Sequence, residues 1–512
     1  MAENFAPMAD RKAGEIALVD ERQTRTWGEF NANVNQLIGA LRATGLATGE
    51  TVGVLCGNRV ELFEVLAATM HAGIVVVPLN WHWVAEELAY VLDDAAARAV
   101  LVDPDFAAVA RDAVERADGD VAVITLGDDE YRARLAVQPT REPDGQALGG
   151  PMFYTSGTTG RPKGVRNSLT RAGLPASTWQ LVATGAVAQL GLPTDGVTLL
   201  CGPAYHSAQW AFSMLPFLAG GAVVMRQQFD AAEVLALIDD HHVTNLHLVP
   251  TQLTRLLRLP GAVRDRFSGE SLQVAYHGAA PCPPEVKRRM IEWWGPRLVE
   301  YYGGTEGAML STIDSADWLA HPTSVGKPWP TVEVLVLDDD GRHCAVGEEG
   351  TLYVRNLLGM DFEYHGDEAK TAAAHREPGV FTLGDVGYLD TDGYLHLSDR
   401  RIDMIISGGV NIYPAEIEGV LQAHPAVRDA AVFGIPNDEF GEEVKAAVEL
   451  EAGHDESAAL TAELLDHCRA HLAGYKVPRS IDYERELPRH PTGKLYKRVL
   501  RDAYWQDTGR RI

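Results

Sequence analysis

This chain is short of cysteine, short of positive charge, and has no long apolar run. Its five cysteines, Cys56, Cys201, Cys282, Cys344 and Cys468, lie far apart, and no pair has the spacing of a zinc site or a redox motif. An odd number of scattered thiols fits a reducing compartment, where each serves as a small buried hydrophobe. Lys and Arg total 45 against 71 Asp and Glu, a formal charge of −26. That balance excludes a protein that coats nucleic acid through a general basic surface. It does not exclude an anionic ligand, because local cations and backbone N–H groups hold phosphate inside acidic proteins. No stretch approaches about 18 uninterrupted apolar residues, so no membrane span is expected. The opening "MAENFAPMADRKAGEIALVD" lacks the apolar core of a secretory leader, and the expectation is a cytoplasmic protein. Repeats, low-complexity tracts and a Pro/Gly linker are missing too, so composition alone places a domain boundary poorly.

What is there reads as an ordinary globular chain, 46% hydrophobic and 23% charged over 512 residues, long enough for two to four domains or subdomains. Thr26 and Glu29 stand at capping-box spacing before a helical face of Phe30, Val34, Leu37, Ile38 and Leu41, which Gly45 can end. "TVGVLC", "IVVVPL" and "AVLVD" are strand-like, with helical segments between them. The alternation implies a largely parallel sheet covered by helices. It returns in "VTLLCGP", "GAVVMR", "VTNLHLVP" and "LQVAYHGAA", with a helix over 231–239. Between Thr331 and Leu397 the texture becomes β-runs broken by Asp-Gly turns, as in hairpins of a small barrel-like sheet. After Arg400 a smaller unit of strands and amphipathic helices begins. The predicted fold is therefore α/β: a large N-terminal domain with a small barrel-like subdomain, followed by an α+β C-terminal unit.

One stretch is too polar and glycine-rich to build a core. In "YTSGTTGRPKGV", Gly157, Gly160 and Gly164 permit backbone conformations that other residues resist. Thr155, Ser156, Thr158 and Thr159 add hydroxyls and Lys163 a mobile cation, a set suited to a polyphosphate. It is not a Walker loop: Lys163 follows Pro162, and Gly164 stands where Ser or Thr is required. By spacing alone a flexible solvent loop remains the alternative.

The whole string resembles the signature loop of the adenylate-forming superfamily: acyl-CoA synthetases, luciferases and the adenylation domains of peptide synthetases. "EYYGGTEG" (300–307), "TLGDVGYLDTDGYLHLSDRRIDMIISGGVNIYPAEIE" (382–418) and "PRHPTGKLYKR" (488–498) resemble its later signatures, in the right order, so the likeness covers nearly the whole chain. It implies a domain over 1–400 holding the ATP and acyl sites. A mobile domain over 401–512 would carry a lysine and a coenzyme A tunnel. ATP and a carboxylate would give an acyl-adenylate and pyrophosphate, and a thiol would then displace AMP.

The resemblance also implies roles, residue by residue. Lys494 resembles the lysine that bridges carboxylate and α-phosphate. Thr305 and Glu306 resemble the pair that contacts the α-phosphate and binds Mg²⁺. Tyr302, followed by Gly303, matches the aromatic stacked on adenine, with Gly278, Ala279 and Ala280 as the opposite wall. Asp385 resembles the carboxylate that takes both ribose hydroxyls, and Arg400 the arginine near the domain junction. His206 matches a gate beside the acyl pocket, with a packed or capping histidine as its plain alternative. Gly408 and Gly409 would let a pantetheine arm approach the backbone. Phe440, Tyr475 and Arg479 would meet the coenzyme A nucleotide. Two departures stand out: Ile402 at the hinge position, where relatives carry Asp or Lys, and Val477, where some carry a basic residue.

The acyl pocket is expected among 204–212, 275–280 and 303–310, which are small and apolar. No Asp there awaits a substrate ammonium, which argues against an amino acid. The expected reaction is ATP- and Mg²⁺-dependent ligation of a fatty, aryl or ring-bearing acid to coenzyme A. The alternatives are transfer to a carrier-protein thiol or an amine, and a ligand-binding homologue without catalysis. Common practice among soluble enzymes makes a homodimer the expectation.

Overall fold

The structure is a computed structural model that describes residues 5–155, 162–168, 171–400, 403–407, 410–437, 440–472, 474–489 and 495–505. The capping box forms as the sequence predicts. Glu29 donates its N–H to Thr26 Oγ1 at 3.3 Å, and its carboxylate accepts the Thr26 N–H at 2.9 Å, opening the helix Trp27–Ala43. Gly45, at φ +88°, donates to the Arg42 carbonyl and ends it.

Five strands form a first sheet in the order Ala122–Thr125, Ala97–Val102, Thr51–Leu55, Val75–Pro78, Gly150–Pro151, all parallel. Every residue of Thr51–Leu55 is buried, which is why that strand reads as a continuous apolar run rather than an alternation.

A second sheet has nine strands. Its parallel centre runs Leu298–Gly304, Val274–His277, Asn245–Leu248, Val197–Leu200, Ala222–Met225, Ile16–Val19. Antiparallel strands flank it, Ala308–Asp314 and Lys327–Pro328 on one edge and Thr24–Thr26 on the other. The opening segment thus joins the second sheet, although it precedes the whole of the first. Sequence alternation cannot show such a pairing, because Leu18 meets Val223 across some two hundred residues.

An antiparallel sheet of Val332–Leu337, Gly350–Asn356, Val380–Leu389, His375–Glu377 and Leu395–Arg400 follows, with Asp392-Gly393 in the turn before its last strand. The C-terminal sheet of Ile405–Ser407, Val410–Ile412, Val427–Asn437, Gly441–Leu450 and Ser480–Glu484 carries the helices Pro414–Gln422, Ala458–His471 and Lys497–Trp505. Val477 lies in the core of this unit, 8% exposed, beside Ile412, Leu464 and Ile481. A basic residue there would be buried among apolar neighbours, which accounts for that departure. Ile402 lies outside the described residues. Arg258, at the end of the helix Pro250–Leu257, reaches this unit, donating to Glu451 at 2.6 Å and to the Arg428 carbonyl at 3.0 Å.

Beneath the second sheet, Lys287 on the helix Pro284–Trp294 is fully buried. It meets Glu300 at 2.7 Å and lies 4.7 Å over the Trp318 ring. Burial pushes the Glu300 carboxyl up, and Lys287 opposes that shift. Removing one partner would strand the other charge. Lys287→Ala is therefore expected to cost about 3–5 kcal/mol in denaturant unfolding, and replacing Lys287 and Glu300 together with apolar residues far less.

Candidate functional site

Three sheets meet at the C-terminal ends of the second sheet's strands. The flanks of the glycine-rich loop, Phe153–Thr155 and Lys163–Asn167, pair antiparallel, with Thr155 opposite Lys163. The strand Phe362–Tyr364 adds to the same small sheet, Tyr364 opposite Val165. Ser156, Gly157, Thr158, Thr159 and Gly160 lie outside the described residues. Of the loop's expected ligands, Thr155 and Lys163 are therefore described, both half-buried. Lys163 Nζ contacts Asp367 at 3.1 Å. The hydrogen bond to Asp367 raises the lysine, while the Lys370 N–H and Lys163 hold the aspartate below its ordinary value.

Sequence reasoning missed the neighbours that follow Phe362–Tyr364. The Tyr364 hydroxyl donates to Glu306 Oε1 at 3.1 Å, and Lys370 Nζ lies 4.3 Å over the Tyr364 ring. Burial lowers the Lys370 ammonium, and nearby Lys163 lowers it further. No local motif marks these residues. The pairing of 362–364 with the loop's flank brings them there, and the charged "DEAK" after a short strand is the only hint in the sequence.

The strand Leu298–Gly304 delivers the "YYGGTEG" residues. The Tyr302 hydroxyl donates to Asp385 Oδ2 at 2.7 Å, and both side chains are buried. Tyr302 is thus aligned with the carboxylate expected to take the ribose. Register places Asp385 opposite Arg400 on the neighbouring strand. Thr305 Oγ1 lies 2.7 Å from Ser207 Oγ, a partner the sequence did not suggest. His206 is the N-cap of the helix Ser207–Leu218, makes no side-chain capping bond, and its ring lies 4.3 Å from that of Tyr205. It stands one residue from Ser207 and so close to Thr305, while Gly303 shares the strand with Tyr302.

The opposite wall follows Val274–His277. At Gly278 a Cβ would meet a Tyr301 ring carbon at 2.6 Å and the Tyr301 carbonyl at 2.7 Å, so only glycine fits. Ala279 stands at φ +66°, a left-handed conformation that costs a residue with a Cβ about 1–2 kcal/mol. Ala280, half-buried, follows it. Backbone held in a sparsely populated region is concentrated where a ligand is to be met.

On the C-terminal unit Phe440, Tyr475 and Arg479 are exposed. Phe440 sits at the turn into Gly441–Leu450, and the Arg479 N–H donates to the Val444 carbonyl. Gly408, Gly409 and Lys494 lie outside the described residues.

Residues 5–360 match AMP-binding enzyme, and residues 416–494 match AMP-binding enzyme C-terminal domain. The chain belongs to the AMP-binding enzyme family. Its relatives within that family include feruloyl-CoA synthase of Streptomyces sp, 34% identical over 94% of this chain and 94% of the relative. Fatty acid–[acyl-carrier-protein] ligase ScoC of Streptomyces coeruleorubidus is 30% identical over 97% of this chain and 95% of the relative. The crystal structure of ATP-bound MatB from Rhodopseudomonas palustris superposes with a TM-score of 0.86 at 29% identity, covering 99% of this chain and 100% of that one. The family's fold, a large domain of parallel-rich sheets with a smaller C-terminal domain, is the fold described above.

Two glycine substitutions separate steric need from mere flexibility. Gly278→Ala is expected to lower unfolding stability by about 1–3 kcal/mol, because the methyl has nowhere to go. Gly185→Ala, within the helix Thr178–Gln189 and facing open space, is expected to raise it by up to about 1 kcal/mol. Thermal or denaturant unfolding of the two variants side by side checks both.

Proposed function

We propose that this protein is an AMP-forming acid–thiol ligase that activates a carboxylic acid with ATP and passes the acyl group to coenzyme A. The observation that supports it most is the gathering of Lys163, Tyr302, Thr305, Glu306 and Asp385 at one junction of three sheets, in a chain of the AMP-binding enzyme family.

The chemistry explains the residue types. A carboxylate is a poor acyl donor because its leaving group would be oxide. Its oxygen attacks the α-phosphorus, a P–O bond forms, and the α–β bond breaks to release pyrophosphate. Both reactants are anions, so alignment and charge neutralisation do most of the work and no general base is required. In the second step the thiol sulfur attacks the acyl carbon, loses its proton, and AMP leaves.

On this reading Tyr302 stacks on adenine against Gly278, Ala279 and Ala280, and Asp385 accepts both ribose hydroxyls, as an ionised carboxylate can. Arg400 would meet the ribose or a phosphate. Lys163 and Lys370 face the leaving pyrophosphate, Lys370 held in place by the Tyr364 ring. Glu306 suits Mg²⁺, which needs one or two carboxylates because it keeps waters and shares substrate phosphates. When bound, that ion would neutralise phosphate charge. His206 gates the acyl side. Lys494 bridges the two reacting anions, carried on a mobile domain that begins after Arg400. Gly408 and Gly409 let a pantetheine arm pass, with Phe440, Tyr475 and Arg479 outside it. A cytoplasmic setting is part of the proposal, supported by five free thiols. The described residues contain no helix long and apolar enough to cross a membrane.

Pyrophosphate release across a panel of carboxylates, with and without coenzyme A, tests the whole. Release that rises with coenzyme A is expected. Release that rises only with a carrier-protein thiol, the acceptor in ScoC's printed name, would replace this reading. Lys494→Ala is expected to lose adenylation yet keep thioester formation from a supplied acyl-adenylate; equal loss of both would refute its role. Lys370→Ala is expected to raise the KM for ATP roughly tenfold, as loss of one charged contact would.

A further inference from the structure

Thr305, Glu306 and Gly307 form the turn between the strands Leu298–Gly304 and Ala308–Asp314, where Gly304 pairs with Ala308. The two polar side chains of that turn are held from two different elements. Tyr364, in the small sheet of the glycine-rich loop, donates to Glu306 at 3.1 Å. Ser207 Oγ, at the first residue of the helix Ser207–Leu218, meets Thr305 Oγ1 at 2.7 Å. Among the described residues this is the one hydrogen bond that either hydroxyl makes. A serine near a helix start commonly bonds backbone groups of its own chain neighbourhood. Ser207 faces Thr305 instead, and His206, the N-cap, makes no side-chain bond to the helix.

The loop that leads into Ser207 is firmly tied. Asn58, fully buried just past the first sheet's strand Thr51–Leu55, reaches across to the second sheet. Its Nδ2 donates to the Gly202 carbonyl at 2.8 Å and to the Arg226 carbonyl at 2.9 Å, and its Oδ1 accepts the Ala204 N–H at 3.0 Å. The His206 N–H then donates to the Pro203 carbonyl at 3.0 Å, and the Tyr205 ring stands edge-on to Trp81 with centroids 4.7 Å apart. The backbone before Ser207 is thereby fixed by the first sheet as well as by its own turn.

The direction of the Ser207–Thr305 bond follows from what Thr305 is to meet. A hydroxyl has one proton to give. The α-phosphate oxygens of ATP accept hydrogen bonds and do not donate them. A Thr305 hydroxyl that touches this phosphate gives its proton to it and has none for Ser207. One arrangement satisfies all three groups: Ser207 donates to Thr305, and Thr305 donates to the phosphate. The bond to the ionised acceptor is the stronger kind, and each bond of such a chain polarises the next.

Resting on the ligase reading above, we infer that Ser207 is a positioning residue, whose hydroxyl donates to Thr305 and leaves the Thr305 proton aimed at an α-phosphate oxygen. A donor oriented beforehand needs no reorganisation as charge gathers on that oxygen. The contribution therefore falls on kcat rather than on the KM for ATP.

The test uses the full-length protein and measures pyrophosphate release with ATP and whichever of acetate, octanoate, benzoate and cinnamate reacts fastest. Ser207→Ala is expected to lower kcat about three- to tenfold with the KM for ATP within about twofold of wild type. Ser207→Thr, which keeps the hydroxyl, is expected to stay within about threefold of wild type. Thr305→Val is expected to lower kcat about thirty- to a hundredfold, and adding Ser207→Ala to it to change little, because the second residue acts through the first. Thermal unfolding confirms that each variant is folded at the assay temperature. A kcat for Ser207→Ala within twofold of wild type, a loss carried by KM alone, a Ser207→Thr variant as slow as Ser207→Ala, or losses that multiply in full in the double variant would overturn the inference and leave the ligase reading intact. Absence of release with any acid would overturn the ligase reading, and a Thr305→Val variant as fast as wild type would overturn the use of Thr305 in it; the inference falls in both cases.

Discussion

The hydrogen bond from Tyr302 to Asp385 joins two sheets that also share a buried apolar core of Leu310, Val332, Leu352 and Phe381. Tyr302 lies near the end of a strand of the nine-stranded sheet, and Asp385 sits midway along an antiparallel strand of another. A 2.7 Å contact between buried side chains adds a polar tie to that core. The third sheet is tied in the same manner, through Tyr364 on Glu306 and through Asp367 on the loop lysine. Each tie runs between a residue proposed to touch nucleotide and another element of the frame. The site is therefore held by the contacts that give it chemistry, and a nucleotide would meet groups already oriented.

The support continues beneath. Glu300 and Tyr302 lie on the same strand, and Glu300 is anchored through Lys287 to the helix underneath. A buried ion pair is poor value as stabilisation when set against apolar packing. Here it pins one strand against one helix just below the adenine side of the site. Gly278 serves the same end by absence: without a side chain, it lets the Tyr301 ring approach the backbone closely, and the hydroxyl of that ring in turn meets His247.

Much of this was legible in the chain itself, and what was legible was local. The capping box at Thr26 and Glu29, the buried strand Thr51–Leu55 and the Asp392-Gly393 turn are each decided within a few residues. The motif residues Thr305, Glu306, Tyr302 and Asp385 were found as strings, and the structure draws Tyr302 to Asp385. The remainder depends on pairings across long stretches of sequence. Nothing near Ile16 says that it joins Ala222–Met225, nothing near Tyr364 says that it meets Glu306, and Ser207 has no motif at all. Val477 looked like a lost ligand because its burial cannot be seen in one dimension.

Arg258 reaches across to Glu451 and to the Arg428 carbonyl, and both charged side chains are about one-third exposed. Bridges in such a setting are worth little, about 0–1 kcal/mol, and added salt weakens them. Cheapness has a use here. For the mobile C-terminal domain proposed above, a latch this light would let go within thermal reach, and ionic strength would become a dial on how readily that body swings.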